Sequence, residues 1–241
     1  MTWNRREFLK NALTTGVSCW VGPYAAAATL AHVDETNSLH DRVGQEAERI
    51  IENARHTKYQ HKAYIDEATG TYDVDCSDYV SYVLERVSKR HLDLIPKEDW
   101  WPVPRAYKYY EYFHSLPLDA PGGWHQIQQL QHVQRGDIIA WALPGGPQKD
   151  RDTGHVFIVA EAPSILNGQL VSIPAYDSST VKHYEDSRVQ SDGVFHDGVG
   201  KGTIHFRIDA TGRPTAFQFG PGDQFHEDPI AIGRIKPFTQ G

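Results

Sequence analysis

The sequence predicts an α+β fold, with helices first and a small antiparallel sheet after them. Residues 39–55 and 75–90 carry apolar side chains at the spacing of an amphipathic helix. After Arg135-Gly136-Asp137 the pattern changes to short apolar segments separated by loops that contain glycine and proline, which is typical of strands. Because the helical and the strand-like segments are separated along the chain, α+β architecture is indicated.

The two helices follow from the positions of their apolar residues. In the first helix these are Val43, Ala47, Ile50, Ile51 and Ala54. In the second helix they are Val80, Val83, Leu84 and Val87, at positions i, i+3, i+4 and i+7. Asp75 is the predicted N-cap of the second helix, because its short side chain can accept a hydrogen bond from a free backbone N–H. Cys76 is therefore expected in the first helical turn.

The rest of the chain supplies a third helix and six strands. Residues 94–133 are rich in proline, tryptophan and tyrosine, and Pro104 predicts the start of a helix. We expect this segment to form an excursion near the functional cleft. The predicted strands span residues 138–143, 155–160, 170–176, 202–208, 215–219 and 230–235.

Length and charge limit the classes of function. A chain of 241 residues with 39% hydrophobic residues supports one domain with a substantial core, and its composition gives no signal of a second domain. The formal net charge of −7 argues against nucleic acid as a partner and against a polybasic grip on a membrane surface. Beyond the N-terminal segment, the sequence has no apolar run long enough to span a bilayer.

The N-terminus predicts an export signal. The pair Arg5-Arg6 precedes a weakly apolar stretch from Asn11 to Val21 and a run of small residues from Ala25 to Ala28. This order is typical of a twin-arginine signal peptide, which we assign to residues 1–31. An ordinary amphipathic first helix is the alternative, but the glycine, serine and threonine content argues against it.

Export defines the expected mature protein. Cleavage after Ala27 or Ala31 fits the small residues at both places, whereas lipid attachment at Cys19 is a less favoured alternative. The twin-arginine export machinery is therefore a predicted partner, and the protein is expected in the periplasm or outside the cell. Residues 32–241 then form a single domain.

Cys76 is the predicted nucleophile. The chain has two cysteines, and Cys19 lies in the predicted signal, so the mature protein is expected to contain no intramolecular disulfide. The start of a helix stabilises a thiolate through its free N–H groups and its dipole. Because Asp75 and Asp78 favour the neutral thiol instead, a base is also required. The competing interpretation is that Cys76 is an inert core residue.

His155 is the predicted general base and Asp177 the residue that orients it. His155 opens an apolar strand, where a helix N-terminus can meet its side chain. If Asn167-Gly168-Gln169 closes a hairpin, antiparallel pairing brings Tyr176 and Asp177 opposite His155. A turn-capping role for Asp177 is equally compatible with the spacing.

These assignments predict amide hydrolysis through a thioester, with no cofactor and no metal. His155 would deprotonate Cys76, and the thiolate would attack an amide carbonyl. The backbone N–H of Cys76 is one expected donor to the oxyanion, and a side chain is expected to supply a second.

Three motifs occur in the order shown by NlpC-type papain-fold cysteine peptidases. They are Asp75-Cys76-Ser77-Asp78-Tyr79-Val80, Arg135-Gly136-Asp137-Ile138-Ile139-Ala140-Trp141 and Thr153-Gly154-His155-Val156. The chain therefore resembles this family over most of residues 33–180. The resemblance implies a papain-like fold, in which the nucleophile helix packs on a small antiparallel sheet. It also implies hydrolysis of amide bonds in peptidoglycan or a related peptide, often between D-glutamate and a diamino acid.

The resemblance adds three residues to the expected site and marks two departures. It implies that Tyr64 contributes a hydroxyl to substrate or oxyanion binding, and Asp75 and Ser77 are grouped with it. Asp78 stands where the family usually has glycine, and Asp177 stands where many members have histidine.

Three other functions compete with this prediction. An N-acetylmuramoyl-alanine amidase of the related CHAP type would use the same cysteine and histidine on another bond. A catalytically silent cell-wall binding module would follow if Asp78 obstructed the cleft. A zinc hydrolase is disfavoured, because the thirteen histidines include no His-Glu-x-x-His helix and no tight ligand cluster in sequence.

Overall fold

A computed structural model describes residues 38–118, 122–144 and 152–238, which belong to one compact unit. The predicted signal peptide lies outside the described residues. The helices are α1 (Leu39–Asn53), α2 (Cys76–Leu92) and α3 (Ala106–Ser115). The strands are β1 (His56–Lys58), β2 (Tyr64–Asp66), β3 (Thr71–Asp73), β4 (Gly122–Gln126), β5 (Ile138–Ala142), β6 (Gly154–Val159), β7 (Ser164–Asn167), β8 (Leu170–Ser179), β9 (Gly198–Ile208), β10 (Pro214–Gln218) and β11 (Ile230–Phe238).

The strands form one large and one small sheet. The large sheet has the order β10-β9-β8-β6-β5-β11-β4, with β7 attached to β8, and all pairings between these strands are antiparallel. The small sheet has the order β1-β3-β2. The predicted α+β class and the antiparallel sheet are therefore confirmed. Among the described helices, none combines the length and the apolar composition that a membrane span requires.

The large sheet has an apolar cluster on each face. Residues of α1, α2 and α3 pack with Val156 and Ile158 of β6 in one cluster. Phe157 and Val159 of β6 face the other cluster, which also contains residues of β8, β9 and β10. This division follows from the alternation of side chains along a strand. The sheet therefore presents two buried faces at β6, and α2 lies on one of them.

The start of α2 agrees with the sequence prediction. Asp75 is the N-cap, and its Oδ1 accepts hydrogen bonds of 2.8 Å from the backbone N–H of Asp78 and from Oγ of Ser77. Strand β3 ends at Asp73 and leads into the buried Val74, so the small sheet carries the chain to this cap. Cys76 is the first residue of α2, as expected.

The predicted hairpin between β6 and the next strand is wrong. The turn at Asn167 closes a hairpin between β7 and β8 instead, and β6 pairs with β8 through Ile158 opposite Tyr176 and Val159 opposite Ala175. Tyr176 therefore does not lie opposite His155. Strand β7 was not predicted, because all four of its residues are exposed and it shows no alternation of apolar and polar residues.

Candidate active site

Cys76 is buried at the start of α2, with 4% of its surface exposed. Burial raises the pKa of its thiol well above the usual value, and the carboxylates of Asp75, Asp152 and Asp177 raise it further. The backbone N–H of Val156 on β6 acts in the opposite direction. The helix start alone therefore does not produce a thiolate, which agrees with the expectation that a base is required.

The thiol borders a cavity of about 190 Å³ that opens beside α2. Trp101, Arg105 and Ala106 contribute to its wall, so the predicted excursion of residues 94–133 does approach the cleft. The remaining lining residues are Tyr59, His61, Asp75, Cys76, Ser77, Asp152, Thr153 and Gly154. Asp78 is buried and does not line this cavity, so the structure gives no support to an obstruction of the cleft by its side chain.

Tyr59, rather than Tyr64, is the tyrosine beside the nucleophile. Tyr64 lies on β2 with 57% of its surface exposed and does not line this cavity, which corrects the assignment by resemblance. Tyr59 is partly buried; burial raises the pKa of its hydroxyl, and the neighbouring Cys76, Asp75 and Asp152 raise it further.

The backbone explains why Tyr59 reaches the site. Strand β1 ends at Lys58, whose carbonyl accepts from the N–H of Val74, and the N–H of Gln60 donates to the carbonyl of Val74. The two bonds hold Tyr59 next to the segment that leads into Cys76. Sequence spacing could not reveal this, because β1 has three residues and no repeating pattern.

Asp75 and Ser77 border the cavity, but their polar atoms are engaged in the helix cap. Ser77 donates its hydroxyl proton to Oδ1 of Asp75, and Nδ1 of His61 lies 3.1 Å from Oδ2 of the same carboxylate. A carboxylate cannot donate to an oxyanion, and the Ser77 proton is already used. Tyr59 therefore fits the role of side-chain oxyanion donor better than either residue. Contact of Asp75 or Ser77 with a substrate stays a prediction.

His155 and Asp177 form the predicted pair despite the wrong register. Nε2 of His155 lies 2.8 Å from Oδ2 of Asp177, and both side chains are buried. Continuing the register of β6 and β8 makes the two residues diagonal neighbours on one face of the sheet, which lets long side chains meet. Because an ionised carboxylate can only accept, Nε2 of His155 must donate and Nδ1 is left unprotonated in the neutral ring.

The imidazole lines a second cavity of about 140 Å³ with Trp141, Phe217 and Phe219 in its wall. Tyr59, Asp152 and Gly154 border both cavities, so the two adjoin at the start of β6. Cys76 packs on the α2 side of the strand, whereas His155 shares the face of Phe157. Within the described part of the chain, no hydrogen bond links the thiol to the imidazole in this structure.

Asp177 has further partners that sequence reasoning passed over. They are His183 and Arg188, which are both buried and point at the Asp177 carboxylate. Burial alone would raise the pKa of Asp177. The charges of His183 and Arg188, with the hydrogen bonds from His155 and His183, outweigh burial and hold this pKa well below its usual value. The carboxylate is therefore ionised at neutral pH.

His155, Asp177 and His183 are also the one group of potential metal ligands among the described residues. Their ligand atoms lie within 4.8 Å of one another. However, both Nε2 atoms already contact Oδ2 of Asp177 at 2.8 Å, and the guanidinium of Arg188 lies 3.1 Å from Oδ1. A buried cation at this carboxylate opposes a second one, so the donor set fits a hydrogen-bonded cluster better than a metal centre.

In comparisons with known proteins, the chain matches no family model, no curated protein and no solved structure.

Proposed function

We propose that this protein is a cysteine hydrolase that cleaves an amide bond, with Cys76 as nucleophile, His155 as general base and Asp177 as the residue that orients the base. The observation that carries the proposal is the buried His155–Asp177 pair at the start of β6, where the next residue, Val156, faces the thiol of Cys76. A lone buried cysteine would not require a buried histidine that is hydrogen-bonded to an ionised carboxylate near it. Together the three residues have the parts of a nucleophile, base and orienter arrangement.

The reaction follows from the protonation states at the site. Nδ1 of His155 takes the thiol proton, and the thiolate attacks the carbonyl carbon of the amide. When the C–N bond breaks, the imidazolium returns the proton to the leaving amine, and a thioester remains on Cys76. Water then attacks the thioester with His155 as base, which releases the acid and restores the thiol. Because catalytic contacts are often loose in unliganded proteins, the thiol and the imidazole are expected to approach each other before the thiol proton is transferred.

The negative charge on the carbonyl oxygen is stabilised by two groups. The first turn of α2 has backbone N–H groups without partners inside the helix, and the N–H of Cys76 is assigned as one donor to the oxyanion. The hydroxyl of Tyr59 is the second donor, because it stands beside the thiol at the border of both cavities. Its raised pKa keeps it protonated, so it can donate at neutral pH.

For the substrate, we propose peptidoglycan stem peptides. Support comes from the motif resemblance to NlpC-type papain-fold peptidases and from the location of their matching residues Cys76 and His155 at one site. The α+β architecture, with the cysteine helix packed on an antiparallel sheet, is compatible with a papain-like fold. A substrate outside the cytoplasm also suits the predicted twin-arginine signal. Cleavage by a CHAP-type amidase at the muramoyl–alanine bond is the alternative on the same catalytic groups.

The test is mass spectrometry of purified peptidoglycan fragments after incubation with the protein. Wild type is expected to release new fragments, whose masses distinguish stem-peptide cleavage from amidase cleavage. The Cys76→Ala variant is expected to release none. Equal cleavage by both proteins would reject the cysteine mechanism. Binding of fragments without cleavage by wild type would favour a silent binding module.

A further inference from the structure

The carboxylate of Asp177 is shared between two histidines and an arginine. Oδ2 lies 2.8 Å from Nε2 of His155 and 2.8 Å from Nε2 of His183. Oδ1 forms an ion pair of 3.1 Å with Nη1 of Arg188. The four residues are at most 7% exposed. One hydrogen bond is enough for Asp177 to orient His155. The contacts of Asp177 with His183 and Arg188 therefore require an explanation.

Glycines on the neighbouring strand make room for these partners. Gly200 and Gly202 of β9 pair with Asp177 and Ala175 of β8. A Cβ at Gly200 would lie 2.6 Å from Cγ of Arg188, and a Cβ at Gly202 would lie 2.6 Å from Cβ of His183. The segment after β8 can therefore lie against the sheet and direct both side chains at Asp177.

Asp186 fixes this segment from within. Its carboxylate accepts from Nε of Arg188 at 2.8 Å and from Nη2 at 3.0 Å, and its Oδ2 accepts from the backbone N–H of His183 at 2.7 Å. A two-point arginine–carboxylate contact is geometrically specific. The backbone of Tyr184 also pairs with Thr203 of β9 in both directions. His183 and Arg188 are therefore held in place before they contact Asp177.

We propose that His183 and Arg188 are positioning residues of the site: they hold the ionised Asp177 in one orientation and thereby keep the His155 proton on Nε2 and its lone pair on Nδ1. Two N–H donors on one oxygen leave Asp177 little freedom to turn, and the arginine balances its buried charge. His155 can then accept the thiol proton only through Nδ1. This inference rests on the proposed function, because it assigns a role within the same reaction.

Other ionisable groups also face Asp177. From α2, the thiol of Cys76 and the hydroxyl of Tyr79 both have a pKa raised by burial, and the Asp177 charge adds to that effect. Neither group carries a positive charge that could stabilise the carboxylate. Arg188 and the two histidines therefore supply the stabilisation of the Asp177 anion.

The decisive measurement is the tautomer of His155, read from the nitrogen chemical shifts of its ring in the full chain labelled with ¹⁵N. Wild type is expected to show a protonated Nε2 and an unprotonated Nδ1 above the pH at which the ring loses its charge. His183→Leu is expected to give a mixture of tautomers. His183→Gln should restore the wild-type tautomer, because the amide N–H can still reach Asp177. Gly202→Ala should act like His183→Leu but more weakly, since it displaces His183 without removing it.

Activity supplies the second readout. His183→Leu is expected to lower kcat by about 10- to 100-fold, the range found when a histidine loses its outer orienting partner in metal sites. The acid limb of kcat/KM should also move to higher pH, because the hydrogen bond from His183 is one of the contacts that lower the pKa of Asp177. A merely structural role would change stability without moving this limb.

The outcomes separate this inference from the proposed function. A folded His183→Leu protein with the wild-type tautomer and pH profile would overturn the positioning role, even if Cys76 proved essential for hydrolysis. If His183→Leu does not fold, His183→Gln decides the matter, and a disturbed tautomer in it would overturn the role. The tautomer needs no substrate, so the expected shifts without any hydrolysis would reject the proposed function alone.

Discussion

Asp78 offers a test of the site's electrostatics that needs no substrate. Its side chain is buried, its Oδ2 has no hydrogen-bond partner among the described residues, and burial together with the charge of Asp75 raises its pKa from 3.8 to about 7. A carboxyl group whose pKa is higher in the folded chain destabilises that chain wherever the unfolded chain is ionised. Asp78→Asn is therefore expected to stabilise the protein at neutral pH.

The size of the effect follows from the pKa shift. Below about pH 4 the carboxyl group is protonated in both states, so the substitution changes nothing by this route. Between about pH 4 and pH 7 the unfolded chain ionises Asp78 while the folded chain keeps its proton, and wild-type stability falls. The shift to about 7 corresponds to a difference of up to about 4 kcal/mol in the free energy of unfolding, which is constant at higher pH.

The assay is urea unfolding followed by circular dichroism at steps from pH 4 to pH 8. The stability of Asp78→Asn relative to wild type should rise across this range and level off near pH 7 to 8. Glu52→Gln is the matched control, because it removes a carboxylate from an exposed position on α1. Parallel curves for Asp78→Asn and wild type would refute the argument, since they would show that Asp78 is ionised equally in both states.

Three further predictions concern catalysis. Tyr59→Phe should lower kcat by about 10²- to 10³-fold through loss of an oxyanion donor. The control Tyr64→Phe, at an exposed position, should leave kcat within about twofold. Equal losses of kcat in the two variants would contradict the assignment of Tyr59. Asp177→Asn should reduce turnover less than His155→Ala, because Asp177 only orients the base, and the reverse order would reject that division of roles. Hydrolysis should persist in a metal chelator, and loss that zinc restores would instead support a metal centre at His155, Asp177 and His183.

Most of what could be predicted of the fold followed from the periodicity of apolar residues and from local signals such as a helix cap. The apolar stripe of α2 and the cap at Asp75 depend on residues within a few positions of each other, so the start of this helix was predictable. Strands β1, β2 and β3 have three residues each, too few to show a period. The pairing of β6 with β8 could not be predicted either, because an exposed strand, β7, intervenes between them.

The site shows the same division. The positions of Cys76 at a helix start and of His155 at a strand start were predictable. The contact between His155 and Asp177 was predicted from an incorrect hairpin. It forms nevertheless, because diagonal neighbours on one face of a sheet can also meet. His183 could not be predicted as a buried partner, because its space depends on Gly202, which lies nineteen positions further along the chain on another strand.

The most direct test of the central claim is the rate at which iodoacetamide alkylates Cys76, measured by peptide mass mapping in wild type and in His155→Ala. Burial and three carboxylates favour the neutral thiol, so its reactivity near pH 7 should depend on the imidazole. The account predicts a rate at least about 100-fold lower in folded His155→Ala than in wild type. Equal rates in the two proteins would contradict the claim that His155 activates Cys76.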